Sequence, residues 1–296
     1  MTINKTGLAA LLALALAACG SNAPDAGAQG TTAAPEAGPA AAEHDKDSAM
    51  TALKPPSADS VLYVIYQRDG DGAVTYKVDG GAIVSYWYGQ AFDLKGKHYF
   101  TGFTSRSEGE EGPDSDAGMM EPGNVAIGQA TFVQGGTADA PAWVQQDTDG
   151  YVGQFGGNDQ PEPLDTARKA QTHALDDGRM LLAVPTRTFT EGVAMFGYAI
   201  FLFDPDNVDK LSFRRWGYLG SIHAGEDNSA SCEDGAVTPC AVSSGTLAFG
   251  AVSGGLPKLT VSLSGKTIDG PGKLRDLGPA DTLTYTFNAD KERYTP

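Results

Sequence analysis

From residue 61 to residue 287 the apolar residues of this chain come in short bursts, and nearly every burst is closed by Gly, Asp, Asn or Pro. VLYVIY (61–66), AVTYKV (73–78), AIVSYWY (82–88), HYFTGFT (98–104) and NVAIGQATFV (124–133) are rich in β-branched and aromatic residues. Turn-forming clusters such as DGDG (69–72) and DLKGK (93–97) separate them. With 38 glycines in the chain, this punctuation predicts an all-β fold. The expected form is an antiparallel sandwich or barrel-like domain with many hairpins. QRDGDGAV (67–74) and QQDTDGYV (145–152) resemble each other, which leaves a β-propeller-like arrangement as the alternative.

Four hairpins are expected: 61–78 around DGDG, 82–104 around DLKGK, 142–155 around DTDG, and 172–184 around DDG. YAIFLF (198–203) is apolar on both faces, so it reads as a central strand. TLAFGAV (246–252), KLTVSL (258–263) and DTLTYTF (281–287) are further strands. Only PLDTARKAQ (163–171) reads as a short helix. Two segments, 105–124 and 221–240, are candidate protruding loops; the first is acidic, Gly-rich and long enough to be functional or solvated.

The first 18 residues are organised differently. Lys5 is the only charge, and Gly7 to Ala18 is apolar throughout. That layout is a secretory signal, and the run falls short of the ~20 apolar residues of a membrane span. It ends in Leu16-Ala17-Ala18-Cys19, which resembles the lipobox of bacterial lipoproteins. The resemblance covers only about the first 20 residues. It implies cleavage before Cys19, a diacylglycerol thioether on its sulfur and an acyl chain, such as palmitate, on the new amino group. Gly20 stands where Asp would favour inner-membrane retention, so an outer-membrane anchor facing the periplasm is expected. Residues 19–57 then read as a lipidated cysteine with a disordered Ala/Gly/Pro-rich tether, reaching ~30–35 Å on average. Residues 58–296 are the β-rich acidic domain.

The net charge of −16 repels nucleic acid and anionic headgroups. Nucleic-acid binding is excluded, and the membrane is met through the lipid anchor only. The charge suits a basic protein partner or plain solubility. Cys232 and Cys240 flank a loop with Asp234-Gly235 and Pro239. In an oxidising compartment they read as a disulfide, with two free thiols as the alternative.

Catalytic motifs are lacking: the chain has no GxSxG, SxxK or HExxH. The Asp-rich turns place Gln67, Gln145 and Val208 where calcium ligands are needed. No metal and no cofactor is therefore expected. His223 lies near Glu226 and Asp227, and Trp87, Tyr88 and Trp216 are aromatics of the kind that line binding surfaces. These six are the candidate binding residues, with core packing as the ordinary role of the aromatics; Trp87 is expected to point opposite to Tyr86 and Tyr88. The expected function is a non-enzymatic, membrane-anchored envelope lipoprotein that binds a basic protein, as an inhibitor, immunity or assembly protein. The alternatives are a carboxylate-type enzyme on envelope glycan and a lipocalin-like small-ligand binder.

Overall fold

Two runs, RMLLAV and YAIFLF, have no polar face, and strands of that kind must be covered on both sides. The computed structural model describes residues 53–109, 120–137, 139–207, 214–232 and 238–296. The signal segment, the lipobox with Cys19, and the centre of the acidic segment (110–119) lie outside the described residues.

The two runs belong to a four-stranded sheet of β6 (Gln171–Ala174), β7 (Met180–Thr190), β8 (Val193–Phe203) and β9 (Trp216–Asp227), in that order. Before it in the chain comes a five-stranded sheet of β1 (Thr75–Lys77), β2 (Ile83–Leu94), β3 (Lys97–Arg106), β4 (Val125–Thr137) and β5 (Ala140–Phe155). After it come β10 (Ser243–Ser253), β11 (Leu256–Gly270), β13 (Leu283–Asn288) and β14 (Arg293–Thr295), with β12 (Lys273–Asp276) paired to β11 alone. Within all three sheets neighbouring strands run antiparallel.

Side-chain alternation sorts the middle sheet into two cores. Met180, Leu182, Val184, Ala199, Phe201 and Phe203 face the first sheet and meet Trp87, Phe92, Tyr99 and Phe103 there. Their neighbours Leu181, Ala183, Tyr198 and Ile200 face the third sheet and meet Leu247, Leu259, Val261 and Tyr285. YAIFLF is thus the central strand its composition predicts, paired to β7 on one side and β9 on the other. The fold is all-β, with stacked antiparallel sheets that include a curled half-barrel sheet. Stacked sheets take the place of the propeller-like alternative. Residues 50–296 form one compact unit.

The expected strand at 61–66 is a helix, α1 (Ala58–Tyr66). It lies on the outer face of the first sheet. Val61 is fully buried against Phe100, Ala130 and Phe132. A Cβ on Gly102 would sit 2.6 Å from a Val61 methyl, so the glycine makes the seat for the helix. The β-branched residues that read as strand are recruited instead for packing, which overrides local propensity. Gln67 ends the helix in the left-handed region and donates its backbone N–H to the Tyr63 carbonyl at 2.8 Å.

Two further expectations are corrected. DTDG does not turn the chain; residues 140–155 form the single strand β5. The side-chain amide of Gln129 donates to Asp147 at 2.8 Å, and the Asp149 carboxylate accepts the Tyr151 N–H at 2.9 Å. Bulges opposite Ile127/Gln129 and Thr131/Phe132 absorb the irregularity. Residues 163–171 form no helix. Asp165 accepts the Ala167 N–H at 3.0 Å and the Arg168 Nε–H at 2.6 Å, closing a turn. Arg168 also donates to the Thr186 and Gly197 carbonyls, both at 2.9 Å, which straps the connection onto the middle sheet.

Candidate functional site

A polar cleft of about 420 Å³ opens where the end of β5 meets β9, the β13–β14 turn and the residues before β4. Gly153 makes the approach of β5 to β9 possible. Its φ is +152°, and a Cβ there would lie 2.6 Å from the Tyr218 Cβ.

The cleft holds a chain of three side chains. Ser221 donates its hydroxyl to Glu162 Oε1 at 2.8 Å. The Tyr218 hydroxyl lies 2.8 Å from Ser221 Oγ. Because the serine proton is engaged by the carboxylate, the tyrosine is the donor in that second contact. Glu162 sits between Pro161 and Pro163, and its carbonyl accepts the Trp87 indole N–H at 2.8 Å. Burial raises the Glu162 carboxyl above its ordinary 4.5, against the opposing pull of hydrogen bonds from Ser221 and Thr186. Burial also pushes the Tyr218 phenol up, with the Glu162 charge adding to it and Arg293 opposing.

Three cations line the same cleft: Arg214, Lys291 and Arg293. Arg214 Nε is 3.9 Å from the Asp149 carboxylate, and its guanidinium stands 5.7 Å from the centre of the Tyr151 ring. Lys291 and Arg293 are exposed, and among the described residues neither pairs with a carboxylate. Two of the lining glutamates already accept hydrogen bonds, Glu162 as above and Glu121 from the Asn124 amide at 3.5 Å.

None of the six candidate binding residues lines this cleft. Trp216 is 1% exposed and Trp87 7%; both are core residues, a correction to their reading as surface platforms. Trp216 donates its indole N–H to Thr131 at 2.9 Å inside the first core. A bulge between Tyr86 and Tyr88 breaks the alternation of β2. Tyr88 therefore packs on the same core as Trp87, while Tyr86 packs beneath α1. The Tyr88 hydroxyl donates to Gln90 Oε1 at 2.5 Å.

His223, Glu226 and Asp227 lie within β9. The first part of 221–240 is thus strand, not a protruding loop. His223 is half-buried, and burial holds its imidazole below the ordinary 6.5 against the pull of Glu226. The Glu226 N–H donates to Ser243 Oγ at 3.0 Å. Asp227 accepts the Ser229 N–H at 2.8 Å; the Ser229 hydroxyl, and after it that N–H, lowers its carboxyl. Cys232 and Cys240 are disulfide-bonded, with Cα atoms 5.0 Å apart.

The meeting of Glu162, the Tyr218–Ser221 pair and Arg293 escapes sequence reasoning because the three places are far apart in the chain and belong to no spaced motif. The one local signal is the glutamate held between two prolines, a stiff extended position. Among the described residues no group of three His, Cys, Asp or Glu is placed to hold a metal ion, and no helix is long and apolar enough to cross a membrane. Compared with known proteins, the chain matches no family model, no curated protein and no solved structure.

Proposed function

We propose that the protein is an envelope lipoprotein, exported and acylated on Cys19, whose β body is a binding module rather than an enzyme. The Leu16-Ala17-Ala18-Cys19 sequence supports the anchor. The disulfide fits an oxidising space. Gly20 in place of Asp after Cys19 supports an outer-membrane anchor facing the periplasm.

The observation that carries the binding reading is the make-up of the cleft. Hydrolysis by paired carboxylates needs two acids ~5–10 Å apart and free to act. Here the half-buried Glu162 is held by Ser221 and Thr186, Glu121 is held by Asn124, and the third glutamate, Glu292, shares the lining with three cations. Aromatic rings fill the space between the first two sheets, where a lipocalin-like binder would keep an apolar cavity. The partner is a basic protein, drawn to a chain of net charge −16.

The test has two arms. Mass spectrometry of the protein from its native envelope is expected to find Cys19 acylated. The purified body, immobilised in envelope extract, is expected to hold one basic protein at low salt and release it at high salt. An unmodified Cys19 overturns the anchor. Cleavage of envelope glycan by the purified body overturns the binding reading in favour of the enzyme.

A further inference from the structure

We infer that the cleft between β5, β9 and the β13–β14 turn is a site for a small polar ligand carrying one oxyanion, a carboxylate or phosphate on a hydroxyl-rich carrier the size of a sugar unit. This deepens the binding-module reading by naming a ligand class, and it does not depend on the protein partner.

The size comes first. At about 420 Å³ the cleft lies within the ~300–1,000 Å³ of small-molecule sites. Its walls are polar, so an apolar ligand gains little there. The charge comes next. The lining carries three cations, Arg214, Lys291 and Arg293, and three glutamates; Glu121 and Glu162 already accept hydrogen bonds and Arg214 faces Asp149, so Lys291 and Arg293, with the exposed Glu292 between them in sequence, are the cations left for a ligand. Arg293 stands near enough to act on the Tyr218 hydroxyl electrostatically. An oxyanion between Lys291 and Arg293 makes charge-assisted hydrogen bonds that no carboxylate of the described residues now occupies.

The remaining polar groups select the carrier. Tyr218 gives its proton to Ser221 and Ser221 gives its own to Glu162. The phenolic oxygen is left with lone pairs for a ligand hydroxyl. Gln154 Oε1 already accepts the Glu121 N–H at 2.6 Å, so the amide NH₂ of Gln154 is the part left to donate. The Tyr151 ring, flanked by Arg214 on one side, gives a flat surface on which the carbon face of a sugar ring can lie. A ligand with an anion at one end and hydroxyls along the other uses all of these groups. A bare anion uses only the cations.

The experiment is calorimetric titration of the lipid-free chain with methyl glucuronide, glucose 6-phosphate and methyl glucoside. At least one of the two anionic sugars is expected to bind ten-fold or more tightly than the neutral glucoside. The paired substitution K291A/R293A is expected to lose ten-fold or more of that affinity with an unchanged melting temperature, because both side chains are exposed. Tyr218→Phe is expected to weaken the anionic sugars and leave inorganic phosphate unaffected. Equal binding of the neutral sugar, full affinity in K291A/R293A, or no binding of either anionic sugar overturns the site. Loss of the site with the envelope partner still captured leaves the binding module standing. Release of methanol from methyl glucuronide removes the binding-module reading and keeps the site.

Discussion

Two half-buried titratable groups on neighbouring parts of the structure act on stability in opposite directions. Glu162 has a folded pKa above 4.5 because burial disfavours its charge. The folded state therefore binds its proton more readily than the unfolded chain. The stability it contributes is present at low pH and is lost as pH rises from 4.5 through the folded value. Glu162→Gln keeps an oxygen for Ser221 and carries no charge. Relative to wild type it is expected to gain stability as pH rises through that window, read from urea midpoints at a series of pH values. His223 is the converse. Burial keeps it neutral in the fold below 6.5, so the unfolded chain takes up the proton first. Its contribution is complete above 6.5 and falls as pH drops below that value. His223→Gln is expected to flatten the loss of stability between pH 6.5 and 5 and to leave the pH 8 midpoint within about 0.5–1 kcal/mol of wild type. A parallel shift at every pH would mean that the imidazole matters only for packing.

The disulfide loop is closed twice, and its two closures should be partly redundant. Asn228, 6% exposed, donates its amide to the Pro239 carbonyl at 3.0 Å and accepts the Ala241 N–H at 2.7 Å. It ties the same ends of the loop that Cys232 and Cys240 join. Removing the disulfide with C232A/C240A is expected to cost about 2–3 kcal/mol, and Asn228→Ala about 1–3 kcal/mol. The combination should differ measurably from the sum, because the two act on one loop; strict additivity in denaturant titrations would argue against shared closure. The cysteine pair was legible in the sequence since its spacing is local. So were the hairpins 82–104 and 172–184, whose turns fall where Gly and Asp clusters stand. What escaped was set by contacts distant in sequence. VLYVIY is a helix because Gly102, on the third strand after it, leaves room for Val61. DTDG stays extended because Gln129 on β4 meets Asp147. PLDTARKAQ is a strapped turn because Arg168 finds carbonyls on β7 and β8. The cleft escaped for the same reason: Glu162, Ser221 and Arg293 meet only after three sheets are stacked.

The middle sheet is the common wall of both cores, and this makes the body a single cooperative object. Phe201 and Phe203 face one way and Ile200 the other from the same strand. A cavity on either side therefore strains the shared backbone. Phe201→Ala, at a fully buried position, is expected to cost about 3–5 kcal/mol, and it should lower the signals of both cores in one transition. The stronger test removes a layer. Ending the chain at residue 242 deletes β10 to β14 and bares Leu181, Ala183, Tyr198, Ile200 and Leu219 on the face they now cover. A face of that size on an acidic chain is held back from association only by charge repulsion. The truncated protein is expected to bind a hydrophobic dye, to self-associate as salt is raised, and to lose its sharp thermal transition. It should also lose the cleft, because Lys291 and Arg293 are deleted with the layer. A monomeric truncated chain with a cooperative melt near that of the whole body would show instead that the first two sheets stand alone and that the third is an appendage.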